Sequence, residues 1–246
     1  MSAENSHNLF GEYLELFAHT EIFIFVFMEI VTKLKTIQRV MFKKAALKDY
    51  VVFTVLFGLF SIFGTYIGIT DSSGAISNIR DLAPMVAGLV AGPIVGVSVG
   101  MIGGIHRFFL GGVTAIPCAI ATILAGLIAG MVYLLLKKKL LGIIPSMLFA
   151  VGIELMHGGL ALALVQPVSE ALRIVEETVP PMIIAVSLGV GISVIILHST
   201  NESTHAPIEK SEPESTPRRV SLPEKAQSGR PRGTGNFTFF RHSRAS

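Results

Sequence analysis

The chain has 246 residues, of which 51% are hydrophobic and only 15% are charged, and its mean hydropathy is +0.64. These values are too apolar for an ordinary soluble domain and predict an integral membrane protein. The net charge of +3 comes from lysines beside apolar runs and from a basic C-terminal stretch, so it indicates membrane orientation and no nucleic-acid partner is expected.

The N-terminus is polar and mildly acidic, so no cleavable signal peptide is expected. The first predicted span covers residues 13–31 and is the weakest, because Glu21 and Glu29 interrupt it. A short loop then carries six basic residues, which the positive-inside rule places in the cytoplasm. They are Lys33, Lys35, Arg39, Lys43, Lys44 and Lys48. Residues 51–70 form the second predicted span.

A glycine-rich segment occupies the centre of the chain. In the apolar run 82–105, glycines recur at a strict four-residue spacing and predict a helix face that another backbone can approach closely. These helix-packing candidates are Gly88, Gly92, Gly96, Gly100 and Gly104. Residues 116–136 form the next predicted span and end at three lysines, Lys137 to Lys139, which should be cytoplasmic.

Two further spans are predicted at residues 143–165 and 180–198, joined by the segment PVSEALRIVEETVPP. From residue 199 to 246 the composition changes to Ser, Pro, Lys, Arg and Glu, which predicts a disordered, basic, cytoplasmic tail. The fold class is therefore an all-α membrane protein, with a bundle of five or six transmembrane helices in the cell membrane.

The number of spans depends on residues 82–105. If they cross the membrane, the basic first loop and the triple lysine lie on opposite sides, against the positive-inside rule. A re-entrant segment that turns near Pro93 removes this conflict and leaves five spans, with Arg80 and Arg107 on the same side. The unbroken glycine spacing favours the alternative, a continuous helix kinked at Pro93. The charge pattern favours the re-entrant form.

Arg80 and Arg107 border the glycine-rich segment and are the first candidates for a binding site. A guanidinium suits bidentate capture of a carboxylate or phosphate, although a lone arginine can also extend to lipid headgroups. Cys118, with Thr114 four residues before it, could line the same cavity. The alternative for Cys118 is a buried cysteine with only a structural role. The alternative for Thr114, and for Thr122 four residues after Cys118, is a hydroxyl bonded to the backbone of its own helix.

Glu154 and His157 lie three residues apart within a predicted span, on one helical face. Ionisable groups at that depth are costly, so a functional role is the first hypothesis, and a mutually satisfied packing pair is the alternative. Two ligands are too few for a metal site. The sequence also lacks a P-loop, a paired CxxC, an HExxH and a nucleophile elbow, so neither a cofactor nor enzymatic activity is predicted.

The central motifs, taken together and in order, closely resemble the membrane domain of LytS/YhcK-type five-transmembrane receptors. They are Asn78 with Arg80, the glycine ridge 87–96, His106 with Arg107 ahead of 111–115, and Glu154 with His157. The last span also resembles that of the family, except that Val186 or Ser187 replaces an asparagine often found there. The resemblance implies that residues 1–198 form a signal-input domain and that the polar residues of these motifs bind a ligand.

Family members normally continue into histidine-kinase, diguanylate-cyclase, GAF or PAS domains, and the tail 199–246 does not look like any of these. The leading hypothesis is a receptor for a small anion, such as a 2-oxo carboxylate. Ligand binding would repack the helices and relay the signal to a separate kinase, cyclase or response regulator. The other expected partners are membrane lipid and a second copy of the chain in a homodimer. The alternatives are a substrate-binding subunit of a vitamin-type importer and a vestigial membrane protein without signalling.

Overall fold

A computed structural model describes the backbone of residues 3–70 and 76–205, and the side chains of residues 17–67 and 78–202. Within these residues the chain forms eight helices and one small hairpin, which confirms the predicted all-α class. The helices are α1 Ala3–Thr32, α2 Lys35–Met41, α3 Leu47–Tyr66, α4 Leu82–Ala91, α5 Pro93–Phe109, α6 Ala115–Leu135, α7 Ile143–Leu164 and α8 Val168–His205.

Two three-residue strands, β1 Gly68–Thr70 and β2 Ile76–Asn78, lie between α3 and α4. They pair antiparallel, with Gly68 opposite Asn78. The second span was expected to extend to residue 70, whereas α3 ends at Tyr66. The hairpin therefore begins where a membrane helix was expected to continue, and it leads the chain into Arg80.

Four of the helices, α3, α6, α7 and α8, are long and apolar enough to cross a membrane. The helix α1 has 30 residues, but its side chains are described only from Phe17 onward. Large apolar side chains such as Leu59, Ile144 and Leu148 are exposed on the outside of the bundle, as lipid contact requires. With α1, these helices provide the five spans expected of a multi-pass membrane domain.

The last helix differs from the sequence-based expectation at both ends. The helix α8 begins at Val168, so the predicted connection 167–181 is helical from its second residue onward, including Pro180 and Pro181. It continues to His205, seven residues past the predicted end of the span at 198. Residues 206–246 lie outside the described residues, so the disordered tail stays a prediction.

The central glycine segment is a helical hairpin. Gly92 separates α4 from α5 with φ 91° and ψ −178°, a conformation that favours glycine, and Pro93 begins α5. A Cβ on Gly96 would lie 2.9 Å from the Cα of Gly88, although eight residues of straight helix would separate them by about 12 Å. A Cβ on Gly103 would likewise lie 3.4 Å from the Cγ of Arg80. The chain therefore folds back on itself, and the continuous kinked helix was the wrong alternative.

The glycines of the hairpin bring its two helices into backbone contact with α6. A Cβ on Gly104 would lie 2.8 Å from the carbonyl oxygen of Ala119, and one on Gly100 would lie 2.7 Å from that of Thr122. Gly96 similarly faces Gly126. Since rising positions on α6 meet falling positions on α5, the two helices run antiparallel, and the first half of α6 lies beside Arg107 and Arg80.

The bundle has two ends that differ in charge. The arginine end contains Arg80 and Arg107, with the end of α3 and the starts of α4 and α6. The lysine end contains Lys43, Lys44 and Lys137–Lys139, which follow α2 and α6.

The helices α7 and α8 pack antiparallel: Gly158 lies near Val179, Gly191 lies near Met147, and the imidazole of His198 is 3.1 Å from the carbonyl oxygen of Leu141. The helix α8 thus runs from the arginine end to the lysine end.

The re-entrant hairpin makes a prediction about membrane sidedness. With Cys118 replaced by serine, single cysteines introduced as Ser77→Cys and Phe109→Cys should react with an impermeant maleimide from the same side of the membrane. A third variant, Lys139→Cys, should react only from the other side. Labelling of residues 77 and 109 from opposite sides would show that residues 82–105 cross the membrane.

Candidate functional site

A buried polar cluster lies at the arginine end, inside the bundle. Arg80 and Asp81 enter it from the segment before α4, Cys118 and Thr122 from α6, and Glu154 and His157 from α7. All six residues are buried. The four predicted members, Arg80, Cys118, Glu154 and His157, are therefore brought together from three separate parts of the chain.

Asp81 is the centre of the cluster, and it was not among the predicted site residues. Its Oδ1 lies 2.5 Å from the hydroxyl of Thr122 and its Oδ2 lies 2.8 Å from Nδ1 of His157. Its carboxylate is also 3.6 Å from Nε of Arg80. A signal was present in the sequence: a buried arginine needs a counter-charge, and the carboxylate directly after Arg80 is the nearest available one.

Arg80 is held by its backbone and by one of its three guanidinium nitrogens. The side chain of Asn78 accepts a hydrogen bond from the backbone N–H of Arg80 at 3.0 Å, and Ser61 donates to its carbonyl oxygen at 3.1 Å. Nε donates to the hydroxyl of Thr122 at 2.8 Å. Nη1 and Nη2 have no hydrogen-bond partner among the described residues, although the side chain is 0% exposed. Asn78 thus positions the backbone, and the guanidinium presents a free fork of donors.

Arg107 is more fully satisfied than Arg80. Nη1 donates to the carbonyl oxygen of Gly111 at 2.6 Å, and Nη2 donates to the hydroxyl of Thr114 at 2.8 Å. Only Nε lacks a partner within the described part of the chain, and the side chain is buried. Two of the three guanidinium nitrogens therefore secure the connection between α5 and α6. Arg107 does not extend to the bundle surface, as a headgroup-seeking arginine would.

Thr114, directly before α6, and Cys118 and Thr122 within it recur at four-residue spacing and face the cluster. The hydroxyl of Thr122 accepts from Arg80 and lies 2.8 Å from the carbonyl oxygen of Cys118, its own helix backbone. Because a hydroxyl has one hydrogen, Thr122 can donate to Asp81 or to that carbonyl, but not to both at once. The Thr122 hydroxyl thus links the guanidinium of Arg80 to the carboxylate of Asp81, the next residue in the chain.

His157 bridges Asp81 and Cys118. Its Nδ1 faces Asp81, and its Nε2 lies 3.1 Å from the sulfur of Cys118. The carboxylate of Glu154 lies 3.7 Å from the same Nδ1, and neither of its oxygens has a hydrogen-bond partner among the described residues, although the residue is 1% exposed. Glu154 and His157 are thus neighbours, but the imidazole hydrogen-bonds to Asp81 and not to Glu154.

His106 faces away from the cluster. Its Nε2 lies 3.1 Å from the hydroxyl of Tyr66, at the edge of the bundle. The sequence placed His106 beside Arg107, but successive helical residues point in directions about 100° apart. Arg107 is therefore buried in the bundle interior while His106 contacts the end of α3.

A narrow cavity separates the cluster from α8. It is lined by Thr114, Cys118 and His157 on one side and by Ile174, Thr178 and Met182 of α8 on the other. Its volume of about 20 Å³ slightly exceeds the minimum of about 10–15 Å³ that one water needs. An occupant larger than water must therefore displace part of the α8 wall.

Asp81, Glu154 and His157 could each offer one ligand atom to a metal ion, and these atoms lie within 4.8 Å of one another. The Arg80 guanidinium is 3.6 Å from the Asp81 carboxylate and would repel a cation at this position. Both oxygens of Asp81 are already engaged by Thr122 and His157. The Arg80 charge and the engaged oxygens of Asp81 therefore argue against a metal cation at this position.

Comparison with known proteins agrees with this architecture. The family model 5TM-5TMR_LYT, described as the 5TMR of 5TMR-LYT, matches residues 34–200. The chain is 33% identical to the sensor protein LytS of Bacillus cereus over 180 residues, 65% of this chain and 30% of LytS. It is 32% identical to the sensor histidine kinase BtsS of Escherichia coli over 148 residues, 58% of this chain and 26% of BtsS.

A third relative, the sensor histidine kinase YpdA of Escherichia coli, is 35% identical over 135 residues, 54% of this chain and 24% of YpdA. The chain therefore spans less than a third of the length of these curated relatives. No solved structure gives a significant match. Because the family model covers more than half of the chain, the protein belongs to the 5TMR-LYT family of membrane sensor domains.

Proposed function

We propose that this membrane sensor domain is a receptor for a small carboxylate, which binds between Arg80 and Arg107 beside Cys118. The observation that carries the proposal is the unpartnered fork of Arg80, whose Nη1 and Nη2 are buried without a hydrogen-bond partner among the described residues. Leaving a buried polar group unsatisfied costs about 1–3 kcal/mol, and more when the group is charged. A carboxylate satisfies both nitrogens at once in a bidentate geometry.

The remaining predicted residues supply secondary contacts in this proposal. Nε of Arg107 is a third donor nitrogen without a partner among the described residues, and Thr114 and Cys118 line the adjacent cavity with His157. Glu154 lies beside His157, with its carboxyl 3.7 Å from Nδ1, and is a further polar residue of the site in this proposal. Asn78 orients Arg80 through its backbone, whereas His106 contacts Tyr66 and is not assigned a ligand contact in this proposal.

The small volume of the cavity provides a route for the signal. A carboxylate with two or more carbon atoms is larger than one water, so its binding would move the α8 residues Ile174, Thr178 and Met182 away from α6. The helix α8 continues to the lysine end, which the positive-inside rule assigns to the cytoplasm. A ligand that prefers the displaced position of α8 shifts the population toward it. A kinase, cyclase or response regulator, attached or separate, would detect this shift, and a homodimer would present two such helices to it.

A ligand series of matched size tests the proposal. The purified protein is titrated in neutral detergent with acetate, lactate and pyruvate, and with acetamide as the neutral isostere of acetate. The carboxylates should raise the thermal midpoint with a logarithmic dependence on concentration, because the ligand binds only the folded state. Acetamide should have no effect. Equal responses to acetamide and acetate would contradict recognition of charge.

A measurement of ligand transport into proteoliposomes then distinguishes the receptor from the importer. Proteoliposomes that contain the protein are loaded with buffer and exposed to a radiolabelled carboxylate that stabilises it. A receptor should show saturable occupancy at about one ligand per chain, without accumulation in the lumen. Accumulation upon addition of an energising partner would instead support the importer.

A further inference from the structure

A second cavity lies at the lysine end, at the opposite end of the bundle from the buried cluster. Its volume is about 300 Å³, at the lower limit of known small-molecule sites. Its polar lining consists of donors: Lys43, Lys138 and Lys139, with His198, Asn201 and Tyr133. None of the lining residues within the described part of the chain is acidic. The cavity therefore combines the volume of a ligand site with a one-sided positive charge.

The charge of the three lysines is not neutralised within the part of the chain that the structure describes. Two other basic residues near this end have acidic partners: Lys33 pairs with Glu29 at 3.0 Å, and Arg39 pairs with Asp49 at 2.6 Å. No such partner is found for Lys43, Lys138 or Lys139 among the described side chains. Because all three lysines line one cavity, an anion within it would be attracted by each of them.

The backbone of two cavity lysines is unusual. Lys43 has φ 58° and Lys138 has φ 63°, the left-handed region in which glycine is favoured. Lys43 follows the end of α2, where the backbone N–H of Lys44 bonds to the carbonyl oxygen of Arg39, a helix ending at which glycine is the common residue. Glycine would relieve the strain but remove the charge. The positions therefore accept a conformational cost that brings ammonium groups to the cavity.

The floor of the cavity is apolar and lies between the re-entrant hairpin and α8. Leu89 and Val90 come from the end of α4, next to the hairpin turn, and Leu197 comes from α8. Tyr133 also contacts the turn, since a Cβ on Gly92 would lie 3.3 Å from its ring. An occupant of the cavity would thus touch the tip of the re-entrant hairpin and the last turns of α8 at the same time.

We propose that this cavity binds a phosphate group, held by Lys43, Lys138 and Lys139, with an apolar or sugar portion against Leu89 and Leu197. Lysine binds phosphate as a point charge, and the amphipathic lining fits a phosphate ester better than free inorganic phosphate. The ester comes from one of two sources, the headgroup of an anionic lipid or a soluble phosphate monoester. Binding would link the hairpin tip to α8 and does not depend on the carboxylate site.

The test uses the full chain in nanodiscs of phosphatidylcholine, with the thermal midpoint and native mass spectrometry as readouts. One arm replaces a third of the lipid by phosphatidylglycerol, and the other adds glycerol 3-phosphate. One of the two arms should raise the midpoint and add a bound phosphate ester to the mass. In the lipid arm, phosphatidylglycerol alone should act; in the soluble arm, glycerol 3-phosphate should act in phosphatidylcholine.

Lysine variants test whether the phosphate ester binds in this cavity. The double variant Lys43→Gly, Lys138→Gly fits the left-handed backbone and should fold at least as well as the parent chain, yet weaken phosphate-ester binding at least tenfold. The control Lys48→Gln changes a lysine at the same end that is exposed, as the three cavity lysines are, but does not line the cavity, and it should bind normally. An equal loss in Lys48→Gln, or binding unchanged in the double variant, would overturn the proposal, as would no response in either arm.

Discussion

Replacing Arg80 by alanine is expected to weaken the binding of a small carboxylate by about 30- to 3,000-fold. Truncating one partner of a buried, hydrogen-bonded charge pair costs about 2–5 kcal/mol, and each 1.4 kcal/mol is a factor of ten. The variant removes both free Nη groups and leaves the acidic side chains of the cluster without their nearest guanidinium. The measurement is an isothermal or thermal-shift titration with the carboxylate that stabilises the parent chain.

The variant Arg80→Lys distinguishes fork geometry from charge. Lysine keeps the positive charge but offers one ammonium, so it should recover folding and only a small part of the affinity. Arg173→Ala is the matched control, since Arg173 is partly exposed on α8 and pairs with Glu170 and Glu177. It should leave affinity unchanged within about twofold, because surface ion pairs contribute little. Unchanged affinity in Arg80→Ala would contradict the site.

Arg107→Ala should have a mixed effect, because Nη1 and Nη2 of Arg107 already bind Gly111 and Thr114. A loss of thermal stability is expected together with the loss of affinity. Ligand affinity should therefore be compared between Arg80→Ala and Arg107→Ala at the same fraction of folded protein. This comparison distinguishes a loss of ligand contacts from a loss of stability. The larger specific effect on affinity should come from Arg80.

Gly96→Ala is expected to destabilise the protein by about 3 kcal/mol or more, which is a large effect for one added methyl group. The new Cβ would overlap the carbonyl oxygen of Gly126 and would lie 2.9 Å from the Cα of Gly88. Overpacking commonly costs about 1–3 kcal/mol when side chains can yield, whereas these neighbours are backbone atoms of two other helices. The thermal midpoint and the yield of folded protein in detergent would measure the effect.

The α7 glycines offer a matched control. A Cβ on Gly152 or Gly159 would meet no described atom within 4 Å, so Gly152→Ala and Gly159→Ala should be neutral or stabilising by up to about 1 kcal/mol. All three variants add one methyl to a helical glycine, so the difference between them isolates the close contact. Equal stability of Gly96→Ala and Gly152→Ala would show that α4, α5 and α6 are not in backbone contact.

Much of the fold could be predicted from hydropathy alone. The spans that became α6 and α7 begin and end within about two residues of their expected positions, because long apolar runs in lipid have few alternatives to helix. The ends of α8 could not be predicted in this way. The segment before Pro180 contains charged residues that favour a loop in a hydropathy reading, but Glu170, Arg173 and Glu177 form ion pairs along a helical face.

The glycine segment shows why spacing alone misleads. A four-residue repeat from Gly88 to Gly104 is consistent with one helix, yet Gly92 is the hinge and the other glycines lie on two antiparallel helices. Gly88 on one arm, and Gly96, Gly100 and Gly104 on the other, all pack against α6. Charge placement carried the missing information, since only the re-entrant path puts the basic segments on one side.

The buried site was partly predictable for a similar reason. Arg80, Glu154 and His157 were conspicuous as ionisable residues in apolar runs. Asp81 was overlooked because it follows an arginine immediately and could be taken as the end of a loop. Its central role depends on α6 and α7 arriving beside it, which no local pattern encodes.

The backbone contacts among Gly88, Gly96 and Gly126 also determine which half of the domain can respond to a signal. A slide of one residue along these helices would bring a side chain into a space that holds only hydrogen atoms, so α4, α5 and α6 act as a rigid body. The seam between α6 and α8 has a cavity and flexible side chains such as Met182. In the proposed receptor, α4, α5 and α6 would therefore be the stationary frame that holds both arginines, and α8 would be the compliant arm that carries displacement across the membrane.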